Sequence, residues 1–299
     1  MHEYSGIYCP IVTPFKKDGS VDEDGLRSVI NFVLDKQKVT GLVPCGTTGE
    51  SPALTEEEHV GVIRSTVKAA GGKVPIIAGS GTNCTGDTVR LTKWADEAGA
   101  DAFLVVGPYY NKPSMEGMAA HYGAVAKCTK KDVIIYNIPG RTSKNIEPKT
   151  ILEIAKNNHN VVGLKDAAGS IDQTMEILAG SRKLGKKFYV LAGDDQMTYP
   201  TLALGGHGAI SAVSHVVGAE MVEMVGHAKA GRWDEAREIH FSILPAIKLL
   251  FLETNPAPVK AAMEMMGVIE NDPLRLPLVP MTAAGREKLK AELKNLGKI

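Results

Sequence analysis

Lys165 closes a short apolar run, Val161-Val-Gly-Leu164, and is followed by Asp166. An amine at the end of a buried strand is poorly hydrated, which disfavours its ammonium form. A free amine is what attacks a carbonyl to form a Schiff base. The alternative is an ion pair with Asp166 or another neighbouring acid. Tyr136 ends the preceding apolar run, so its hydroxyl would sit beside the Lys165 amine if the two runs were adjacent strands. Forming and dehydrating a carbinolamine both need a group that gives and takes a proton, and a tyrosine can do both. A buried tyrosine with a satisfied hydroxyl is the plainer reading. Thr47 and Thr48, in Gly46-Thr-Thr-Gly-Glu50, could bind a carboxylate through hydroxyls and backbone N–H groups, although the pattern also suits a simple turn. Arg141, in Pro139-Gly-Arg-Thr142, could grip a carboxylate in bidentate fashion or form a surface ion pair.

These residues need elements to position them, and the chain supplies an alternation. Eight short, largely apolar runs lie at 6–12, 41–44, 74–78, 102–106, 133–136, 161–164, 188–192 and 208–211. Apolar throughout and not alternating, they suit strands buried on both faces of a parallel sheet. Segments of helical periodicity separate them. Leu26, Ile30 and Val33 share one face, as do Val60, Ile63 and Val67. Thr55 with Glu58 makes a capping box, Pro148 suits a first helical turn, and Ser114 and Ser170 suit N-caps.

Eight strands with intervening helices make a (β/α)8 TIM barrel. The open doubly wound sheet is the competitor, and the GxGxxG that would favour it after the first strand is missing from the sequence. From 232 the strands stop, and 233–252, 256–266 and 283–296 read as helices. The expected organisation is a catalytic barrel over 1–231 and a C-terminal helical extension over 232–299. Active sites of such barrels lie at the C-terminal ends of the strands. The residues named above gather there, together with Gly107-Pro-Tyr-Tyr-Asn111 after the fourth strand and Gly193-Asp-Asp195 after the seventh.

Composition narrows the function. A chain of 299 residues with 34 basic and 34 acidic side chains has no net charge, which argues against a nucleic-acid partner. Aromatics are only 5%, so the core is expected to be mostly aliphatic. Cys9, Cys45, Cys84 and Cys128 form no CxxC pair, so neither a zinc ribbon nor a redox dithiol is expected. Reduced thiols, no signal-peptide pattern and no apolar run near the roughly 20 residues that span a bilayer together predict a cytoplasmic location and no membrane partner.

The motifs Gly46-Thr-Thr-Gly-Glu50, Tyr136-Asn-Ile-Pro139 and Gly163-Leu-Lys-Asp166, in this order and at barrel spacing, resemble the dihydrodipicolinate synthase family. This is the lysine-pathway branch of the pyruvate-dependent class I aldolases, which also include N-acetylneuraminate lyase. The resemblance runs from Gly6-Ile-Tyr-Cys-Pro-Ile-Val-Thr-Pro-Phe15 to Asn255-Pro-Ala-Pro-Val-Lys260. It implies condensation of pyruvate with L-aspartate 4-semialdehyde, giving 4-hydroxy-tetrahydrodipicolinate, with no metal and no organic cofactor. Lys165 would form the Schiff base, and Tyr136 would shuttle protons, linked through Thr47 to Tyr110. Thr48 would bind the pyruvate carboxylate and Arg141 that of the semialdehyde. Gly193 and the carbonyl of Ile210 would line the pocket. Tyr110 would reach across a dimer interface, and the assembly would be a homotetramer.

The resemblance also implies a place for L-lysine, at a dimer interface built from Ser51, Pro52, Leu54, Glu56, His59, Asn83, Asp87 and Tyr109. Glu56 is a departure, standing where lysine-sensitive bacterial members tend to carry histidine, and the sequence leaves feedback open. Competing readings are an aldolase cleaving a 2-keto-3-deoxy sugar acid or N-acetylneuraminate, a non-catalytic ligand-binding barrel, and a barrel enzyme for phosphorylated substrates. Arg141 weighs against a polyol substrate. The presence of both Lys165 and Tyr136 weighs against a mere binding barrel. Gly205-Gly206 precedes the eighth strand and makes a poor phosphate loop.

Overall fold

A computed structural model describes residues 2–299. Eight strands occur in order: β1 (Gly6–Cys9), β2 (Gly41–Leu42), β3 (Ile77–Gly79), β4 (Ala102–Val106), β5 (Asp132–Asn137), β6 (Val161–Asp166), β7 (Tyr189–Ala192) and β8 (Gly208–Ile210). The helices among them are α1 (Glu23–Asp35), α2 (Glu56–Ala70), α3 (Thr85–Glu97), α4 (Met115–Cys128), α5 (Pro139–Thr142), α6 (Pro148–Asn157), α7 (Ile171–Ser181), α8 (Thr198–Ala203) and α9 (Ser214–Lys229). Three more end the chain: α10 (Trp233–Leu250), α11 (Ala257–Met265) and α12 (Ala283–Asn295). The strands pair in the order β2-β1-β8-β7-β6-β5-β4-β3, every pair parallel. The ring closes through a parallel bridge between Leu42 and Ile76 and a hydrogen bond from the Gly79 N–H to the Pro44 carbonyl, 2.9 Å. This is the expected TIM barrel with C-terminal helices.

Prolines explain why the first three strands differ from their apolar runs. Pro10, Pro44 and Pro75 have no N–H to give a ladder, so β1 and β2 stop before the first two and β3 starts after the third. At β6 the difference runs the other way, and Lys165 and Asp166 belong to the strand itself. The expected caps form. The Thr55 side chain accepts from the Glu58 N–H in a reciprocal capping box. Ser114 and Ser170 cap α4 and α7, and Pro148 opens α6. The one-turn helix α5 is an addition, opened by Pro139.

The apolar side chains form two layers. Between sheet and helices lies a large aliphatic cluster that includes Ile7, Leu42, Val105, Ile135 and Leu164. Inside the barrel lies a smaller one, with Val43, Ile77, Leu104, Ile134, Val162, Leu191 and Ile210. The aliphatic expectation fails in part of that interior. Tyr4, Tyr8 and Tyr189 are buried there together, with Tyr4 edge-on to Tyr189 at 5.4 Å between ring centroids. The Tyr4 hydroxyl donates to Asp132 at 3.0 Å.

One irregularity sets the orientation of β6. The register with β5 steps from Val133↔Val161 to Ile134↔Gly163, so Val162 is an extra residue. Val162 packs inside the barrel, whereas Leu164 packs outside it. Strict alternation would put both on one side. The bulge resets the alternation and pairs Lys165 with inward-facing Tyr136. Gly163 permits this closeness, because a Cβ there would come within 2.9 Å of the Tyr189 carbonyl. Gly163→Ala is therefore expected to lower unfolding free energy by about 1–3 kcal/mol, the range for overpacking. Urea denaturation measures this, and an unchanged midpoint would show that the bulge has slack.

Candidate active site

The C-terminal rim of the barrel brings β5 and β6 into register so that Tyr136 lies opposite Lys165 and Asn137 opposite Asp166. Both members of the first pair are nearly buried. The Lys165 Nζ lies 4.2 Å from the centroid of the Tyr136 ring. Asp166 faces the other way. Its carboxylate accepts from the Asn137 side chain and the Ala168 N–H, both at 3.2 Å, and from the Gln173 side chain at 3.3 Å. The ion pair weighed for Lys165 with its neighbour is thus not the arrangement that forms. Burial pushes the Asp166 pKa up, against the pull of these donors.

The loop after β2 presents Thr47 and Thr48. It is a tight turn, with the Glu50 N–H donating to the Thr47 carbonyl at 3.1 Å. The Thr13 hydroxyl holds the Gly49 carbonyl at 2.7 Å. Cys45 and Glu50, which flank the turn, both have left-handed backbones, with φ 56° and 53°. Such conformations cost roughly 1–2 kcal/mol for non-glycine residues. They persist where surrounding contacts enforce them. Thr48 is buried, and its hydroxyl oxygen accepts from the Asn255 side chain at 3.0 Å. Thr47 and Tyr136 line one small cavity together with Gly46, Gly79 and Leu104.

Arg141 sits in α5, with its side chain exposed. Its guanidinium donates to the Asn255 carbonyl at 3.2 Å. Gly193 follows β7, and a Cβ there would meet the Lys165 Cγ at 3.0 Å and the Ala167 Cβ at 2.9 Å. The absence of a side chain leaves Lys165 its path. Ile210 ends β8 and packs inside the barrel.

Not every expected residue converges within one chain. Tyr110 lies beyond β4 with a left-handed backbone, φ 70°, and is 90% exposed, away from the cavity that Thr47 and Tyr136 share. Tyr109 instead lines a larger cavity of about 440 Å³. All eight positions named for a lysine effector line this cavity, along with Thr47 and Arg141. Two of its lining residues, Glu56 and Asp87, pair with Arg90, the latter at 2.9 Å. His59 donates to the Gly79 carbonyl at 2.7 Å, and burial lowers its pKa.

Sequence reasoning gave no role to two polar residues near this rim. Asn255 joins Thr48 to Arg141 from the far end of the chain; its presence in the Asn255–Lys260 motif was the signal. Asp195 follows Gly193-Asp194 and is completely buried. Its carboxylate accepts from the Ser211 hydroxyl, but its Oδ2 has no protein partner among the described residues. Burial pushes its pKa up to about 6, opposed by the Ser211 hydrogen bond and the Lys165 charge.

A model of the dihydrodipicolinate synthetase family matches residues 3–296. The chain belongs to this family. The 4-hydroxy-tetrahydrodipicolinate synthase of Syntrophus aciditrophicus is 48% identical over 296 residues, covering 99% of each chain. Among solved structures, dihydrodipicolinate synthase from Thermotoga maritima superposes with a TM-score of 0.97 at 41% identity, covering 100% of both chains. A lysine-bound structure of the enzyme from Cyanidioschyzon merolae gives 0.94 at 35% identity, with 99% of each chain covered.

The buried Asp195 carboxyl sets a pH dependence. Its pKa in the folded state lies above the usual 3.8, so the fold favours the protonated form. Stability is lost as pH rises from about 4 to about 6, and the penalty is complete above that, reaching roughly 3 kcal/mol. Asp195→Asn keeps an acceptor for Ser211 and removes the charge. Relative to wild type, it should gain about 2 kcal/mol between about pH 4.5 and about pH 7.5. Paired urea titrations read this directly, and equal differences at the two pH values would reject it.

Proposed function

We infer that the chain is a lyase that condenses pyruvate with L-aspartate 4-semialdehyde, giving 4-hydroxy-tetrahydrodipicolinate in lysine and diaminopimelate biosynthesis. The observation that carries this is the pairing of Lys165 with Tyr136 at the C-terminal rim of a barrel belonging to the dihydrodipicolinate synthetase family. Relatives of near-identical length carry the synthase name, which favours this reaction over sugar-acid or N-acetylneuraminate cleavage.

In this reading the Lys165 amine attacks the pyruvate keto carbon. The carbinolamine loses water to form an imine, with Tyr136 passing the proton to the departing oxygen. The protonated imine serves as electron sink, so loss of a methyl proton gives an enamine without a metal or an organic cofactor. The enamine carbon bonds to the aldehyde carbon, whose oxygen takes up a proton. The amino group of the semialdehyde portion then displaces Lys165 as the ring closes. Thr48 holds the pyruvate carboxylate with its hydroxyl and nearby backbone N–H groups, and Arg141 holds that of the aldehyde. Gly193 and Ile210 shape the pocket.

Tyr110 completes the proton relay of Tyr136 and Thr47 from a neighbouring subunit, in a homotetramer. Its 90% exposure in the single chain supports this. The cavity lined by Ser51, Glu56, His59, Asn83 and Tyr109 is proposed as a lysine effector site. We take residues 1–231 as the catalytic unit and 232–299 as its helical extension. No helix among the described residues is long and apolar enough to cross a membrane, and the proposed location is the cytoplasm.

Borohydride reduction in the presence of pyruvate should leave a stable adduct on Lys165, located by peptide mass mapping. An adduct on another lysine, or none, rejects the mechanism. Arg141→Ala should still form that adduct. Its kcat/KM for the semialdehyde should fall by roughly 10- to 200-fold, corresponding to the ~1.5–3 kcal/mol of a charge-assisted hydrogen bond. Equal damage to pyruvate trapping would make Arg141 structural.

A further inference from the structure

The loop that carries Thr47 and Thr48 ends at Glu50, whose buried carboxylate meets a cation from far along the chain. Lys260, in α11, is fully buried, and its Nζ lies 2.5 Å from the Glu50 Oε1. Lys260 also donates to the Pro273 carbonyl at 2.9 Å. The Arg275 N–H donates to the other Glu50 oxygen at 3.1 Å. Its guanidinium donates to the carbonyls of Ala53 and Gly19, both at 2.8 Å, and pairs with Glu58 at 2.5 Å. The Lys260 Nζ and the Arg275 guanidinium carbon lie 4.2 and 4.5 Å from the Phe15 ring centroid. Five residues before Lys260, the Asn255 side chain donates to the Thr48 hydroxyl oxygen at 3.0 Å.

A sealed ion pair is a poor way to gain stability, because apolar residues of the same volume often serve as well. What such a pair can do is hold one arrangement against its alternatives, since any slip strands a charge away from water. The arrangement held here is that of the turn from Thr47 to Glu50 against the C-terminal segment. Left-handed residues flank that turn, Cys45 before it and Glu50 at its end, and it would relax if released.

We propose that the Glu50–Lys260 pair fixes the position of the Thr47–Thr48 turn, so that Lys260 is a positioning residue for the pyruvate carboxylate, with Asn255 as a second strut. The helical extension is then part of the active-site architecture. Lys260 touches no reacting atom and acts through Glu50. The proposal rests on the reading of Thr48 as the carboxylate's partner.

Lys260→Met alone would leave a buried carboxylate unpaired and is expected to unfold the chain. The deciding variant is Glu50→Gln with Lys260→Met, which removes both charges together. Its borohydride trapping is measured over a range of pyruvate concentrations, beside wild type. The expected result is a folded protein in which half-maximal trapping needs at least about fivefold more pyruvate, with full labelling of Lys165 at saturation. A merely structural role would reduce the fraction of labelled protein and leave the half-saturating concentration in place. A folded double variant with unchanged half-saturation overturns the proposal. Should the double variant not fold, Asn255→Ala decides by the same measurement: a rise of that size supports the strap, and an unchanged value overturns it. Wild-type protein that is not trapped on Lys165 rejects the pyruvate reading itself, an outcome visible before any variant is made.

Discussion

The extra residue in β6 is the constraint on which the site depends. Side chains on a strand alternate, and a single insertion reverses which ones face the interior. Val162 and Lys165 both point into the barrel because the register slips between Val133 and Ile134. Without that slip Leu164 would lie opposite Tyr136 and Lys165 would face the helices. Two glycines make room for the result. Gly163 lets the bulge lie against β7, and Gly193 leaves space beside the lysine stem.

Around this lysine, the polar side chains of the rim are held in place by contacts from distant parts of the chain. The turn after β2 is pinned by Thr13 on one side and by Asn255 and Lys260 on the other. Arg141 is tied to the same C-terminal segment through the Asn255 carbonyl. Left-handed backbones collect on these loops: of the six such non-glycine residues among those described, Cys45, Glu50, Tyr110, Lys112 and Ser143 follow β2, β4 or β5. A rigid ring of strands with conformationally strained loops at one end is the division of labour expected of a barrel enzyme.

The charge distribution follows the same division. The chain as a whole is neutral, and most of its ion pairs are exposed or half-exposed, where each contributes little. Few charged residues lie buried. Among the described residues they are Glu50, Lys165, Asp166, Asp195 and Lys260, and all of them belong to the rim loops, the end of β6 beside them or the C-terminal segment that straps them. Anionic substrates would meet Lys165 and Arg141 there, although the overall charge gives no sign of it.

Local physical chemistry made much of this protein legible in the sequence. Parallel strands buried on both faces write themselves as short apolar runs, and eight of them with helices between admit few architectures. Caps such as Thr55 with Glu58 depend only on neighbours three residues apart. Lys165 and Tyr136 stood out because each ends a run, and strand ends are where such barrels do chemistry. Other features needed contacts that no local pattern encodes. The β6 bulge arises from pairing with β5, and nothing around Val162 announces it. The burial of Lys260 against Glu50, and the bridge from Asn255 to Thr48, join positions more than 200 residues apart. The sequence by itself determined which elements form and which side chains are chemically capable. Tertiary structure decided which way Lys165 points and what holds Thr48, because orientation and burial depend on packing between distant segments.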